Sequence, residues 1–285
     1  MNNKTAVVTG TSSGFGLITS IELAKKGFTV IATMRNGSKN TDLLLEARKY
    51  GVESKIIVHE LDVTDEVSIQ KFQSRISEDF GRIDILINNA GFAGAGFVEE
   101  ISMEEYRKQF DTNVFGVIAV TKAFLPMMRR QGQGCIINLS SISGKVAFPG
   151  LSPYIASKHA IEGWSESLRL EMQPYGVKVV LIEPGSYKTN IWSTGKQVAI
   201  ESMQSHSHYQ DYMKSIESYI AQGEDSFGNP LEVAKKIVEI AEMKNPKMRY
   251  PIGRGVKASI VLKNLLPWML WEKIIISKLF AKGGK

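Results

Sequence analysis

Apolar positions fall along this chain in two alternating rhythms. Short apolar runs, rich in Val and Ile, occupy residues 5–10 (TAVVTG), 28–33 (FTVIAT), 54–62 (SKIIVHELD), 83–91 (IDILINNAG), 135–141 (CIINLSS), 177–185 (VKVVLIEPG) and, more weakly, 248–253 (MRYPIG). Between them, segments 16–27, 41–51, 65–81, 103–132 and 153–176 repeat apolar residues at three- and four-residue spacing and mostly stop at a glycine, which is the pattern of amphipathic helices. The short runs lack in-out alternation, as expected of parallel strands covered on both faces. Strand–helix alternation along the chain therefore predicts a doubly wound α/β fold in a single domain, with a parallel sheet of about seven strands and helices on both faces.

Residues 193–228 break the rhythm with a long, polar, partly helical insertion between two sheet elements. Ligands of α/β sheets sit beyond the carboxyl ends of the strands. The insertion thus reads as a substrate lid at about 190–228, within a catalytic domain spanning 1–255 and followed by a basic amphipathic extension, 256–285.

Composition narrows the function classes. The net charge is +6 over 285 residues, but Lys and Arg are dispersed until the last thirty positions, so no nucleic-acid partner is expected. Cys135 is the only cysteine, which excludes an intramolecular disulfide and a thiolate metal site; it reads as a small core residue on a strand. His206 and His208, near Tyr209 in the insertion, read as solvent-exposed, and no metal site is expected. The first strand starts about four residues in, leaving no room for a signal peptide, so the expected location is cytoplasmic.

Candidate chemistry begins at AVVTGTSSGFG, residues 6–16, where a strand runs into Gly10, Gly14 and Gly16. A strand, a glycine-rich turn and a helix together make an anion seat, because the first helical amides have no internal partner and glycines let a pyrophosphate approach the backbone. The order here is G-x-x-x-G-x-G rather than the common G-x-G-x-x-G, so the loop by itself is also compatible with a structural turn. The second strand ends in VIATMRNGSK, with Arg35 where an NAD site usually places an acid. A guanidinium there forms a forked pair with a 2′-phosphate and favours NADP(H), with Ser12 placed to add a hydroxyl. Tyr154 and Lys158 lie four apart at the start of a helical pattern and share a face. An ammonium nearby would lower the phenol pKa from about 10, making it a usable acid–base group.

Together these motifs resemble the short-chain dehydrogenase/reductase family, in the group with a T-G-x-x-x-G-x-G loop and a Y-x-x-x-K pair and in its steroid and retinol dehydrogenase-like branch. The resemblance covers about residues 4–190 and implies a Rossmann-type fold. TGTSSGFG (9–16) matches the cofactor loop, bringing in Gly10, Ser12, Ser13, Gly14, Phe15 and Gly16. LDVTD (61–65) matches the segment in which Asp62 and Val63 approach the adenine, and NNAG (88–91), with Asn89, Ala90 and Gly91, the motif after the fourth strand. EPGSYKT (183–189) matches the turn of Pro184 and Gly185, whose Thr189 meets the nicotinamide amide. Asn113, Ser141, Tyr154 and Lys158 match the catalytic tetrad.

By that resemblance Tyr154 exchanges a proton with the substrate oxygen, and Ser141 holds that oxygen, with Ser140 a neighbouring alternative. Lys158 grips the nicotinamide ribose and lowers the tyrosine pKa, and Asn113 holds a water that relays protons. The implied activity is NADP(H)-dependent interconversion of hydroxyl and carbonyl on a small hydrophobic substrate. The alternative is a cofactor-binding regulator or redox sensor without significant turnover. Helical segments 111–130 and 153–175 resemble those that build family homodimers and homotetramers. The tail, with Trp268, Trp271 and several lysines, suits either packing over the pocket or peripheral membrane contact.

Overall fold

The seven apolar runs become seven parallel strands of one sheet. In the computed structural model, which describes residues 4–189 and 195–280, β1 (Thr5–Thr9), β2 (Thr29–Met34), β3 (Ile56–Glu60) and β4 (Ile85–Asn88) are followed by β5 (Ala93–Ala95) and β6 (Gly134–Leu139). Then come β7 (Val177–Pro184), β8 (Lys196–Val198) and β9 (Arg249–Ile252). The main sheet has the order β3-β2-β1-β4-β6-β7-β9, and β5 pairs with β8 in a separate two-stranded sheet.

The register explains why the strand sequences are apolar throughout. Ile31, Val7, Leu86, Ile136 and Val179 align in one row across five strands, on the face covered by α3 (Glu66–Phe80), α5 (Gly116–Gln131) and α6 (Ser152–Met172). One residue further along each strand, Ala32, Val8, Ile87, Ile137 and Val180 form the opposite row. That row packs under α1 (Gly14–Lys25), α2 (Thr41–Lys49) and α8 (Pro230–Glu242). With both faces buried, each such aliphatic side chain contributes about 1.5–3 kcal/mol, and neither row needs polar residues in alternation.

The pattern over 103–132 forms two helices rather than one. α4 (Met103–Phe110), entered through a Ser102–Glu105 capping box, runs into a π turn at Asp111–Phe115 before α5 begins. The turn places Asn113 in the interior. α8 carries a clear apolar stripe, Val233, Ala234, Ile237, Val238 and Ala241, although it lies outside the helical segments predicted above. α7 (Gln210–Gly223), α9 (Val256–Leu265) and α10 (Trp268–Phe280) complete the chain. Cys135 is buried on β6, and burial pushes its thiol up to about 12, as suits an inert core residue.

Strand order reverses between β1 and β4. Connections leave these neighbouring strands in opposite directions, opening a crevice at their carboxyl ends, where doubly wound sheets bind ligands.

Candidate active site

Side chains of β1 and β4 build the crevice floor by holding each other's loops. Asn89, just past β4, donates from Nδ2 to the carbonyls of Thr9 (2.8 Å) and Gly10 (2.9 Å). In return the Thr9 hydroxyl accepts the backbone N–H groups of Asn89 and Ala90, both at 2.9 Å. The glycine loop passes through this clasp with no room to spare. A Cβ on Gly16 would sit 2.3 Å from the Gly10 carbonyl oxygen and 2.5 Å from Asn89 Nδ2, and one on Gly10 would meet Ala90 at 2.8 Å, with φ at +70°. Glycine at these two positions is therefore required by close approach.

The loop delivers the N-terminus of α1 to the crevice. Ser13 is its N-cap residue but makes no side-chain capping bond, and the first turn carries no acid. Its leading amides are left to an outside acceptor, which with the helix dipole favours an anion. Thr189 closes the far side, its Cβ 3.8 Å from the position of a Cβ on Gly14.

At the inner end, β6 and α6 bring three groups together. Ser141 follows β6 in extended backbone, and its Oγ accepts the Ser143 N–H at 3.1 Å. That bond leaves the hydroxyl hydrogen free to donate. Lys158 Nζ donates to the Leu139 carbonyl at 2.6 Å and lies 5.6 Å from the Tyr154 ring centroid. Burial dominates both charges. It pushes Tyr154 up to about 12 against a smaller downward pull from Ser141, and Lys158 down to about 8 against the upward pull of Glu162. For Tyr154 the direction set by burial is upward, opposite to the lowering expected of Lys158.

Asn113 stands behind the cleft rather than in it. It is 1% exposed. Its Oδ1 accepts the Phe92 N–H (3.2 Å), while its Nδ2 donates to the Phe92 carbonyl (3.0 Å) and to Ser157 Oγ (3.3 Å). Ser157 donates in turn to the Tyr154 carbonyl at 2.7 Å. The side chain therefore ties the loop after NNAG to the helical turn that carries Tyr154.

The outer end is basic. Arg35, directly after β2, and Lys39, in the following 3₁₀ turn, both reach the cleft and are exposed. Neither makes an ion pair among the described residues. Asp62 caps the next loop, accepting the Thr64 N–H and hydroxyl at 2.9 and 2.7 Å. Tyr187, in the PGSYKT turn, is buried, meets Phe15 edge-on at 5.7 Å and donates to Glu232 at 3.0 Å.

One cleft of about 1520 Å³ joins these groups. Of the sequence-predicted residues, Gly10, Ser12, Ser13, Gly14, Phe15, Arg35, Asp62, Val63, Asn89, Ala90, Gly91, Ser141, Tyr154, Lys158, Pro184, Gly185 and Thr189 line it. Gly16 and Asn113 support it from behind. The sequence matches the family model described as short chain dehydrogenase over residues 4–198.

The chain belongs to the short chain dehydrogenase family.

It is 49% identical to the uncharacterized oxidoreductase YusZ of Bacillus subtilis, over 99% of this chain and 100% of that one. It is also 35% identical to a 3-ketodihydrosphingosine reductase of Bacteroides thetaiotaomicron, over 89% of each. A short-chain dehydrogenase from Streptomyces avermitilis superposes with a TM-score of 0.81 at 30% identity, covering 99% of this chain and 98% of that one. A Burkholderia phymatum short chain dehydrogenase/reductase solved with NAD gives 0.78 at 25%, covering 92% and 93%. ElxO, solved with NADP, gives 0.75 at 28%, covering 90% and 99%. The chain is thus an oxidoreductase of a fold whose solved neighbours carry NAD or NADP.

The family's dinucleotide fits the residues present. The uncapped α1 N-terminus and the crowded Gly10–Gly16 turn form a cradle for the pyrophosphate, and Lys158 retains donors for ribose hydroxyls after its bond to Leu139. Lys39 and Tyr187 are missed by the sequence reading. Lys39 is one lysine in a polar turn, and Tyr187 shows its role only through its contacts in space. Among the described residues, no group of three or more His, Cys, Asp or Glu is placed to hold a metal.

Proposed function

We propose that this oxidoreductase uses NADP(H) to interconvert a carbonyl and a hydroxyl on a bulky apolar substrate. The observation that carries the reading is the convergence of Ser141, Tyr154 and Lys158 on a cleft whose opposite end offers Arg35 and Lys39. The chemistry a bound nicotinamide supplies is hydride transfer at carbon. Tyr154, whose phenol burial pushes upward, is the proton donor to the substrate oxygen in the reducing direction. Ser141 donates a second hydrogen bond to the same oxygen, stabilising negative charge as it develops. Lys158 binds the ribose and supplies positive charge as the phenol gives up its proton. Asn113 is a positioning residue, holding the Tyr154 turn and the Phe92 loop in one frame.

Selection of NADP(H) rests on charge. Two unpaired cations stand at the end of β2 and no acid occupies that position, so a 2′-phosphate finds partners that a bare ribose does not. The substrate end is lined by Val146, Phe148, Ile216, Ile220, Trp271 and Ile275, a wall suited to an extended hydrocarbon. The Bacteroides relative is named as a reductase of a keto compound, 3-ketodihydrosphingosine, which agrees with carbonyl reduction. In this reading α7 is the substrate lid. Self-association uses the outer faces of α5 and α6, where Phe115 beside α5 and Leu170 on α6 are exposed.

The test is NADPH oxidation in the presence of bulky apolar ketones, comparing the natural chain with Tyr154→Phe. Turnover is expected to fall by about 10²–10⁴-fold with NADPH affinity unchanged. Near-normal turnover in the variant would remove Tyr154 from the chemistry.

A further inference from the structure

The C-terminal helices present two faces of opposite character. On α10, Trp271, Ile275, Lys278 and Leu279 follow one another at helical spacing and line the cleft, and Trp271 is only 5% exposed. Trp268, three residues earlier, is 62% exposed and stands with Met269 (69%) and, at the end of α9, Leu265 (75%). Leu262 and Leu270 are exposed as well. Along α9 this apolar surface includes a shallow groove of about 580 Å³, lined by Ala258, Val261, Leu262 and Leu265 with Lys257 at its edge.

The charge around this surface is of one sign. Lys257, Lys263 and Lys273, with Arg254 and Lys278 at the cleft side, stand against a single acid, Glu272. None of the five cations has an acidic partner among the described residues. A second copy of the same face would set lysine against lysine, which disfavours a dimer through it. An anionic surface that is apolar beneath matches both features. Neither helix is long enough to cross a bilayer: α10 has 13 residues, against about 20 for a span, and no described helix is long and apolar enough to do so. The geometry fits a helix pair lying in an interface plane with large apolar side chains inserted and lysines at the headgroups.

We propose that the α9–α10 face docks on the surface of an anionic phospholipid bilayer. The helix that rests on lipid is then the same helix that walls the cleft. Its outer end also touches α7, through Phe280 and Tyr212 with ring centroids 4.9 Å apart. Docking itself is independent of the assigned chemistry. That it brings the cleft to a membrane-dissolved substrate rests on the reading above.

The test is co-sedimentation of the full chain with vesicles of phosphatidylcholine alone and of phosphatidylcholine mixed with phosphatidylglycerol. Binding to the anionic vesicles is expected to be at least ~10-fold tighter, since each lysine near such a surface adds to the attraction, and to weaken as salt is raised. The double variant Leu265→Glu with Trp268→Glu is expected to lose vesicle binding while retaining NADPH affinity, which reports an intact fold and leaves the assigned chemistry untouched. Equal binding to both vesicle types, or unchanged binding by the double variant, would overturn the proposal. So would absence of vesicle binding by the natural chain; a drop in oligomer size in the double variant would then make the face an interface between copies.

Discussion

At the floor of the cleft, polar groups are fixed by directional bonds: Asn89 to the glycine loop at 2.8 and 2.9 Å, Asn113 to Phe92 at 3.0 and 3.2 Å, Lys158 to Leu139 at 2.6 Å. The outer wall is assembled differently. There α7, which gives the wall Ile216 and Ile220, is held by rings outside the cleft lining: Phe97 stacks on Tyr209 at 4.4 Å and meets Tyr212 at 5.1 Å, and Tyr212 meets Phe280 at 4.9 Å. Hydrogen bonds set positions closely and are costly to leave unmade in the interior, whereas apolar contacts tolerate shifts and changes of shape. The difference matches a division of labour in which the floor fixes the reaction and the wall fits the substrate.

Breaking the floor should cost most. After Tyr154→Phe, the next large effect is expected for Asn113→Ala. Removing this amide leaves the half-buried Phe92 N–H without its acceptor, at about 1–3 kcal/mol for such a group left unpaired, while the Phe92 carbonyl keeps Gln109 at 3.0 Å and the Ser157 hydroxyl keeps the Tyr154 carbonyl at 2.7 Å. Denaturant unfolding measures the loss, and the comparison weakens if stability is unchanged.

Glu162→Gln sharpens the electrostatic side of the floor. Lys158 is held down to about 8 by burial, with Glu162 pulling upward. Reduction should therefore decline above about pH 8 as the ammonium is lost, while Tyr154 stays protonated. Without the carboxylate Lys158 loses its upward pull, so the declining limb should move to lower pH, by up to about one unit. A pH–rate profile reads this directly, and a limb that stays in place would detach Glu162 from Lys158. The wall should respond least. Tyr212→Ala removes two ring contacts worth about 0.5–1.5 kcal/mol each beyond their buried area. It is expected to raise KM for a bulky ketone several-fold with kcat little changed.

Legibility in the sequence follows the same division. The sheet, its parallel sense and its seven strands were readable because residues such as Val7 and Val8 lie in opposite apolar rows, leaving no alternation to mislead. The loop and the Tyr154–Lys158 pair were readable because each is a local spacing. β5 and β8 were not, being three residues each, with Gly94 at the centre of the first. The π turn around Asn113 hides inside an unbroken helical pattern, and which groups Asn113 binds depends on a loop 21 residues earlier. The tail sequence shows two tryptophans. That Trp271 turns to the cleft and Trp268 to the outside is decided by packing against the rest of the chain.

The most direct measurement is a pair of fluorescence titrations, NADPH and NADH, on the natural chain and on the double variant Met34→Asp with Arg35→Ala. The account predicts tight NADPH and much weaker NADH binding to the natural chain, with NADPH affinity falling ~10-fold or more in the variant as its charge-assisted pairing to the 2′-phosphate is lost. Preference for NADH in the natural chain, or unchanged selectivity in the variant, would contradict the role given to Arg35. Binding of neither nucleotide would contradict the assignment of the cleft itself.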